Sequence, residues 1–565
     1  MRRMHSRVVT LLLLTIFTTP YRSSQTALAT LATATIYPEP RGESPSPRYE
    51  VQVLDKSGIA RRSFVYFDPG REVKTPGNHG TELQAGRSFS WTTFEVDGPV
   101  KVRIVRKDGN FKTVMLRPSR YGLSPTTLNR NTIEFIITPG QKVSVEFDTA
   151  LHKCYFDQMD CVRDILMIFA DPKTERSPIA GYLEKDVYRP SPGTYATNAT
   201  IMGVKSPVVS TLGNAEGKKV VVFGPGVYNI GYWKIPNNIE HVHLEGGAIV
   251  YGAMDVLPVG PMPKSDDYLQ SRQLALRADF KLTGHGILSG RKIPWHMTKD
   301  FDYCLDGCWW KEVVMVQLAV ANITVTDVTV ANSPQFVFAL ANDADSRTSG
   351  VMDGFKVVAQ WAYNNDGTSA PARGRIKNCF VQANDDVFKL ANSGATIEDC
   401  TLWQFGNGAA FQLGWYGKTI TGIAVSRIDL IHSETWWGPS DNSGLLNYAK
   451  AQTGVSYRGE IHDISFRDIR LEGKTLRLVG LTPQNGQKIR DIRFTDVAIE
   501  SWRHDAGSSE RSNYLDGING GSIDGVSFEN VTVGGQAITP ANAATLARLQ
   551  TSGDVSNVRF SARAR

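Results

Sequence analysis

One short pattern of apolar and polar positions keeps returning along the second half of the chain. It is seen in ITVTDVTV (323–330), RIKNCFV (375–381), TIEDCTL (396–402), IAVSRIDL (423–430), ISFRDIRL (464–471), IRFTDVAI (492–499) and VSFENVTV (526–533). Apolar residues alternate with polar ones, as in a strand with one buried face, and most segments carry a central Asp or Asn. Aligned on that central position (327, 378, 399, 427, 468, 496, 530), they recur after 51, 21, 28, 41, 28 and 34 residues. Strands returning at such a period, with no helix between them, predict a parallel β-helix. The shortest spacing is one bare coil, longer ones carry loops, and 51 spans two coils. A propeller would need four strands per blade, and the leucine-rich consensus is absent.

Upstream the alternation takes another form. RYEVQVLDKSG, VKVRIVRKDGNFKTVML and TIEFIITPGQKVSVEFD read as strands broken by turns at KDGN and TPGQ. These predict an all-β sandwich. The expected organisation is therefore all-β throughout: a sandwich over 35–205, then a right-handed parallel β-helix over 206–565. The first 29 residues read differently. Basic MRRMHSR, apolar VVTLLLLTIFTT and a closing ALA have the form of a secretory signal peptide, with an uncleaved anchor as the alternative. The apolar run is short for a bilayer span. A secreted protein is expected, or a periplasmic one if the source is bacterial, with no membrane contact after cleavage.

Composition narrows the picture only slightly. At 565 residues the chain exceeds one ordinary core, and its net charge of +6 is spread without a dense Lys/Arg tract, so no nucleic acid is expected as partner. Six cysteines fall into three local pairs, Cys154/Cys161, Cys304/Cys308 and Cys379/Cys400. In an oxidising compartment these could bond, though free buried thiols fit as well for the last pair.

Candidate chemistry lies in NNDGTSAPARGRIKNCFVQANDDVFKL (364–390). A coil of about 20–25 residues stacks positions 19–21 apart on neighbouring rungs, which would bring Asp366 beside Asp385 and Asp386. Taken alone, NDD reads as a solvated turn. Three carboxylates in one patch resist simultaneous ionisation, so one holds its proton, as glycoside hydrolysis requires. Trp361, Tyr363, Trp403, Trp415, Tyr416, Trp436, Trp437 and Trp309 crowd the neighbouring segments. They offer flat platforms for sugar rings, although a buried Trp is as common.

With Asp366 followed 19 residues later by an Asp pair, and with NNDG, NDDVFKL and NGAAFQLGW around it, the chain resembles glycoside hydrolase family 49, the dextranases and isopullulanase. The solenoid carries the resemblance, whereas the sandwich matches in architecture more than in motif. The resemblance implies inverting hydrolysis of α-1,6-linked glucan such as dextran, or of pullulan, without cofactor or metal. It gives Asp385 as general acid, with Asp366 and Asp386 holding and deprotonating water. Asn364, Lys389, Gln412, Trp415, Tyr416, Trp436 and Trp437 are the candidate sugar contacts, and the expected partner is an α-glucan met by a monomer. The polygalacturonases of similar fold carry Gly-His-Gly and Arg-Ile-Lys after the Asp pair. Here GHG (284–286) and RIK (375–377) precede it, which favours a neutral glucan and leaves His285 as a turn residue. A non-catalytic carbohydrate-binding solenoid and a calcium-dependent lyase are the alternatives from other classes.

Overall fold

The computed structural model describes residues 31–562, apart from 71–85, 150–152, 155–158, 202–203, 260–274, 294–313, 342–346, 362–363, 414–418, 435–442, 449–458 and 504–512. Among the described residues the regular structure is strand, with a few single-turn 3₁₀ segments.

Two sheets form the N-terminal sandwich. One contains Ala60–Ser63, Tyr49–Leu54, Val100–Arg106, Thr132–Ile137 and Thr126–Asn129, in that order. Its strands keep the alternation read from the sequence: Val51 and Val53 point inward between half-exposed Glu50, Gln52 and Leu54. The other contains Ala34–Thr35, Ser88–Val96, Asp164–Pro172, Lys142–Phe147 and Val114–Arg117, with Tyr66–Asp68 also on Ser88–Val96. Here the alternation disappears, and all of Ser88–Val96 is buried. The reason is that this sheet is covered on both faces. Phe94, Val143, Val145 and Ile168 face the sandwich core, whereas Phe89, Trp91, Met167 and Phe169 pack on the solenoid. The TPGQ turn joins strands of different sheets, Thr132–Ile137 and Lys142–Phe147.

Among the described residues, one long sheet of 33 strands begins at Val187 and winds to Ser561. Parallel pairing links each coil to the next, as in Ile464↔Ile492↔Val526 and Thr368↔Phe388↔Phe411. The chain is thus a β-sandwich followed by a parallel β-helix. The expected boundary at 205/206 needs correction, because it cuts the strand Val204–Ser210. The sandwich's last strand ends at Pro172, and the sheet of the solenoid starts at Val187. Alternating polar residues make both domains look alike at this junction, and pairing partners alone distinguish them.

The central Asp and Asn of the repeats have a backbone explanation. Asp327, Asn378, Asp399, Arg427, Asp468, Asp496 and Asn530 all lie at φ between 52° and 61°, the left-handed region that Asn and Asp tolerate best. They are the stacked corners of successive coils. Gly354 (φ 67°) fills the place missing between 327 and 378, which makes the spacing of 51 two coils. Arg427 departs from the type, and its guanidinium bonds to Asp399 and Glu398. Inside, Phe466, Phe494, Phe528 and Phe560 stack ring on ring at 5.1–5.4 Å. Cys379 and Cys400, one coil apart, form a disulfide, and Cys161 is also disulfide-bonded.

Candidate active site

Asp366 and the Asp385–Asp386 pair sit on adjacent rungs. Ser369 pairs with Lys389, and the Gly367 N–H donates to the Asp386 carbonyl at 2.9 Å. One carboxyl oxygen from each of the three lies within 4.8 Å of the others. Neighbouring residues of a flat strand point to opposite faces, yet both members of the pair join the cluster. The chain manages this because Phe380–Ala383 ends there and Phe388–Lys389 restarts after a bend. Gly408, on the following coil, presses against that bend. A Cβ there would stand 2.4 Å from the Asp386 nitrogen, so only glycine fits.

Close hydrogen bonds fix the carboxylates. Asp385 Oδ2 accepts from Asn407 Nδ2 (2.6 Å) and the Asn364 N–H (3.2 Å), and its Oδ1 accepts from the Asp386 N–H (2.9 Å). Asp386 Oδ1 accepts from the Ala409 N–H at 3.1 Å. Asp366 Oδ2 meets Lys389 Nζ at 2.6 Å, while its Oδ1 has no hydrogen-bond partner among the described residues. Burial pushes the Asp385 pKa well above the usual carboxylate range, and the charges of Asp366 and Asp386 push it further. Burial raises Asp366 as well, but the Lys389 ammonium opposes the rise. The cluster therefore contains one carboxyl whose burial and charged neighbours favour its protonated form, and one partnered by a cation.

Several expectations change here. Asp366 and Asp385 are almost covered, and Asp386 is fully enclosed (0% exposed), so the trio is not the solvated turn that NDD alone suggests. Lys389 is no free sugar-binding cation: it is bound to Asp366 and lies 3.9 Å over the Phe336 ring. Gln412 is fully buried, donating to the Leu413 carbonyl and accepting from Asn447, so it presents nothing to a sugar. Asn364 stands beside Asp385, but through its backbone. Trp361 and Trp403 are no sugar platforms. Both are buried beneath the sandwich, their indole N–H groups donating to Asp68 and Glu434. Trp415, Tyr416, Trp436, Trp437, Tyr363 and Trp309 lie outside the described residues.

Asn407, Asn384 and Gln404 were not anticipated. Asn384 Nδ2 donates to the Trp361 carbonyl, and Gln404 Nε2 donates to the Asp385 carbonyl. A signal for Asn407 did exist, since it follows Asp385 by 22 residues, nearly the spacing that stacks the two cysteines. His285 lies in the bend between the strands Arg277–Thr283 and Ile287–Ser289, as expected of a turn residue, but its largely covered ring is also bonded to Asp171 and Glu95 of the sandwich. As for a metal, three convergent carboxylates have the right atoms for a hard cation, which takes oxygen ligands. However, Lys389 already neutralises one of them.

Known proteins extend this picture. The model of the "Glycosyl hydrolase family 49 N-terminal Ig-like domain" matches residues 35–173, the part in which motifs were least telling. A dextranase of Arthrobacter sp. (strain CB-8) is 24% identical, aligned over 87% of this chain and 81% of its own. The isopullulanase of Aspergillus niger is 24% identical over 86% of each chain. Among solved structures, Dex49A from Penicillium minioluteum superposes with a TM-score of 0.73 at 20% identity, covering 93% of this chain and 96% of that one. With the sandwich matched by the family's N-terminal model and most of the chain aligned along these relatives, the chain is similar to glycoside hydrolase family 49 over both of its domains.

Proposed function

We propose that this protein is a secreted, endo-acting hydrolase of α-1,6-linked glucan, with dextran as substrate. The observation that carries the reading is the buried cluster of Asp366, Asp385 and Asp386, in which one carboxyl is held protonated beside a cation-paired one. Relatives named dextranase and isopullulanase point to a glucan.

Asp385 is the general acid. As the bond from the anomeric carbon to the leaving oxygen breaks, the Asp385 proton passes to that oxygen. Asp366, with Lys389 restraining its protonation and Oδ1 unengaged by the described residues, accepts the proton of the attacking water. Asp386 is too enclosed to reach bulk solvent. It fixes the Ala409 side of the bend and adds the negative charge that keeps Asp385 protonated. Water attacking opposite the leaving group inverts the anomeric centre. The carboxyl oxygens approach within 4.8 Å, tighter than the about 6.5–9.5 Å customary for inverting pairs. Retention, with one aspartate acting as nucleophile, is therefore the second reading that the geometry favours.

Resolving the products from dextran and from pullulan decides the substrate, and following the first-formed anomer by NMR decides the stereochemistry. Asp385→Asn should lower kcat by about 10³-fold or more in a folded protein. A rate close to that of the unaltered enzyme would remove Asp385 from the chemistry. Glycan binding with no release of reducing ends would make this a binding solenoid, and activity lost to a chelator would give the carboxylates to a cation.

A further inference from the structure

Asp68 belongs to the sandwich, on the strand Tyr66–Asp68, yet two of the three hydrogen bonds to its carboxylate come from the solenoid. It is 1% exposed. Oδ1 accepts from Trp361 Nε1 at 2.7 Å and from the Gly70 N–H at 2.9 Å, and Oδ2 accepts from Asn332 Nδ2 at 2.8 Å. Asn332 lies on the coil before that of Asp366 and Trp361 on the coil of Asp366 itself, and from each a hydrogen bond passes to the next coil. The Trp361 carbonyl accepts from Asn384 Nδ2 (2.8 Å), and Asn384 directly precedes Asp385. Asn384 Oδ1 in turn accepts from the Gly406 N–H (3.0 Å), which ties in the coil carrying Asn407. On the other side, Ser333 follows Asn332, and its carbonyl accepts from Asn365 Nδ2 (2.8 Å), next to Asp366. The Val337 N–H donates to the Asp366 carbonyl at 2.8 Å, closing this second arm.

We infer that Asp68 is a positioning residue of the hydrolytic site: one sandwich carboxylate sets the spacing between the coil bearing Asp366 and the coil bearing Asp385. The inference rests on the role proposed for the aspartate trio. Its physical basis is that a charged acceptor makes stronger, shorter hydrogen bonds than a neutral one, and this acceptor holds Trp361, whose carbonyl takes the bond from the coil of Asp385, together with Asn332, next to the carbonyl that takes the bond from the coil of Asp366. Asn332 is held at φ 53° and Asn364 at φ 59°, so the backbone near each arm sits in a conformation that needs support from its surroundings. The N-terminal domain then serves as a wall of the active site rather than as a separate appendage. Its contact with the chemistry passes through two hydrogen-bonded arms.

The test compares Asp68→Ala, Asp68→Asn and Trp361→Phe in the full chain, with kcat, KM, thermal unfolding and the pH–rate profile measured for each on dextran. Asp68→Ala should lower kcat about 100-fold, the effect of an ångström-scale misplacement, with KM within about twofold. The alkaline limb of its profile should move to lower pH, because a loosened Asp385 is better hydrated. Asp68→Asn should recover most of kcat, since an amide oxygen still accepts from Trp361 and the Asn332 amide can turn to accept from the new one. If Asp68→Ala does not fold, Trp361→Phe removes one arm alone and should show the same fall in kcat and the same shifted limb. Unchanged kcat and pH profile in a folded Asp68→Ala or Trp361→Phe would overturn the inference. So would equal losses in the Ala and Asn variants accompanied only by lower melting temperatures. Asp385→Asn runs alongside: if it keeps activity, the reading of the trio fails, whereas an inactive Asp385→Asn beside a fully active Asp68→Ala sinks only the positioning role.

Discussion

Two of the buried groups of acids among the described residues are built to opposite ends. Between the domains, Asp171 and Glu95 of the sandwich meet Lys356 and His285 of the solenoid, at 2.5 Å for Lys356–Asp171 and 3.1 Å for His285 to each acid. In the solenoid, Asp366, Asp385 and Asp386 share Lys389. Burial penalises ionisation in both places. At the domain junction cations match the acids, and burial is outweighed: Lys356 and His285 hold Asp171 well below the usual carboxylate range, and Glu95 is lowered by His285 and Thr174. Burial likewise opposes charging of His285, yet its bonds to Asp171 and Glu95 lift its pKa to about 9. In the trio three acids face one ammonium, and Asp385 rises instead. Matched charge makes a clamp, whereas unmatched charge keeps a proton available for transfer.

Four substitutions sharpen or break this contrast. The largest stability effect should come from Asp171→Asn, which leaves the fully buried Lys356 without a carboxylate and should cost about 3–5 kcal/mol in denaturant unfolding. An effect near zero would deny the clamp.

His285→Gln comes next. The folded His285 pKa is raised, so its contribution is complete below the ordinary value of 6.5 and is lost as pH climbs through about 9. The groups facing it are Asp171, Glu95, Asp327, Lys356, Tyr37, His243 and the Thr174 hydroxyl. At pH 6 the variant should be less stable by up to about 3 kcal/mol, and the two proteins should converge above pH 9. A pH-independent difference would show that shape rather than charge matters there.

Asp385→Asn should change stability in the reverse direction to Asp171→Asn. A raised carboxyl pKa favours folding below the ordinary value and loses that contribution as pH rises toward the folded one. The neutral amide should therefore melt higher than the parent at pH 7 and alike near pH 3, by about 1.4 kcal/mol for each pKa unit of the rise. A variant less stable at pH 7 would place Asp385 with the matched acids.

Lys389→Met should have the smallest effect of the four. Asp366 loses its cation, so the acid limb of the pH–rate profile should move to higher pH and the rate below that limb should fall about tenfold. An unmoved limb would detach Lys389 from the chemistry.

The sequence by itself determined whatever repeats from coil to coil. A rung is made from nearby chain, and a left-handed corner favours Asp, Asn or Gly wherever it recurs. Residues 323–533 thus announced the solenoid, and the spacing from Asp366 to Asp385 announced their meeting. Only the tertiary structure decided what covers each face. Trp361 and Trp403 look like sugar platforms until a sandwich sheet lies over them, and Lys389 looks like a free cation until the rung beneath brings Asp366 against it. His285 does occupy a turn, but only contact shows that Glu95 and Asp171, over a hundred residues upstream, make it part of the domain junction. Packing between domains has no period along the chain. The residues that make it therefore carry the same alternating pattern as any half-buried strand, and only contact distinguishes them.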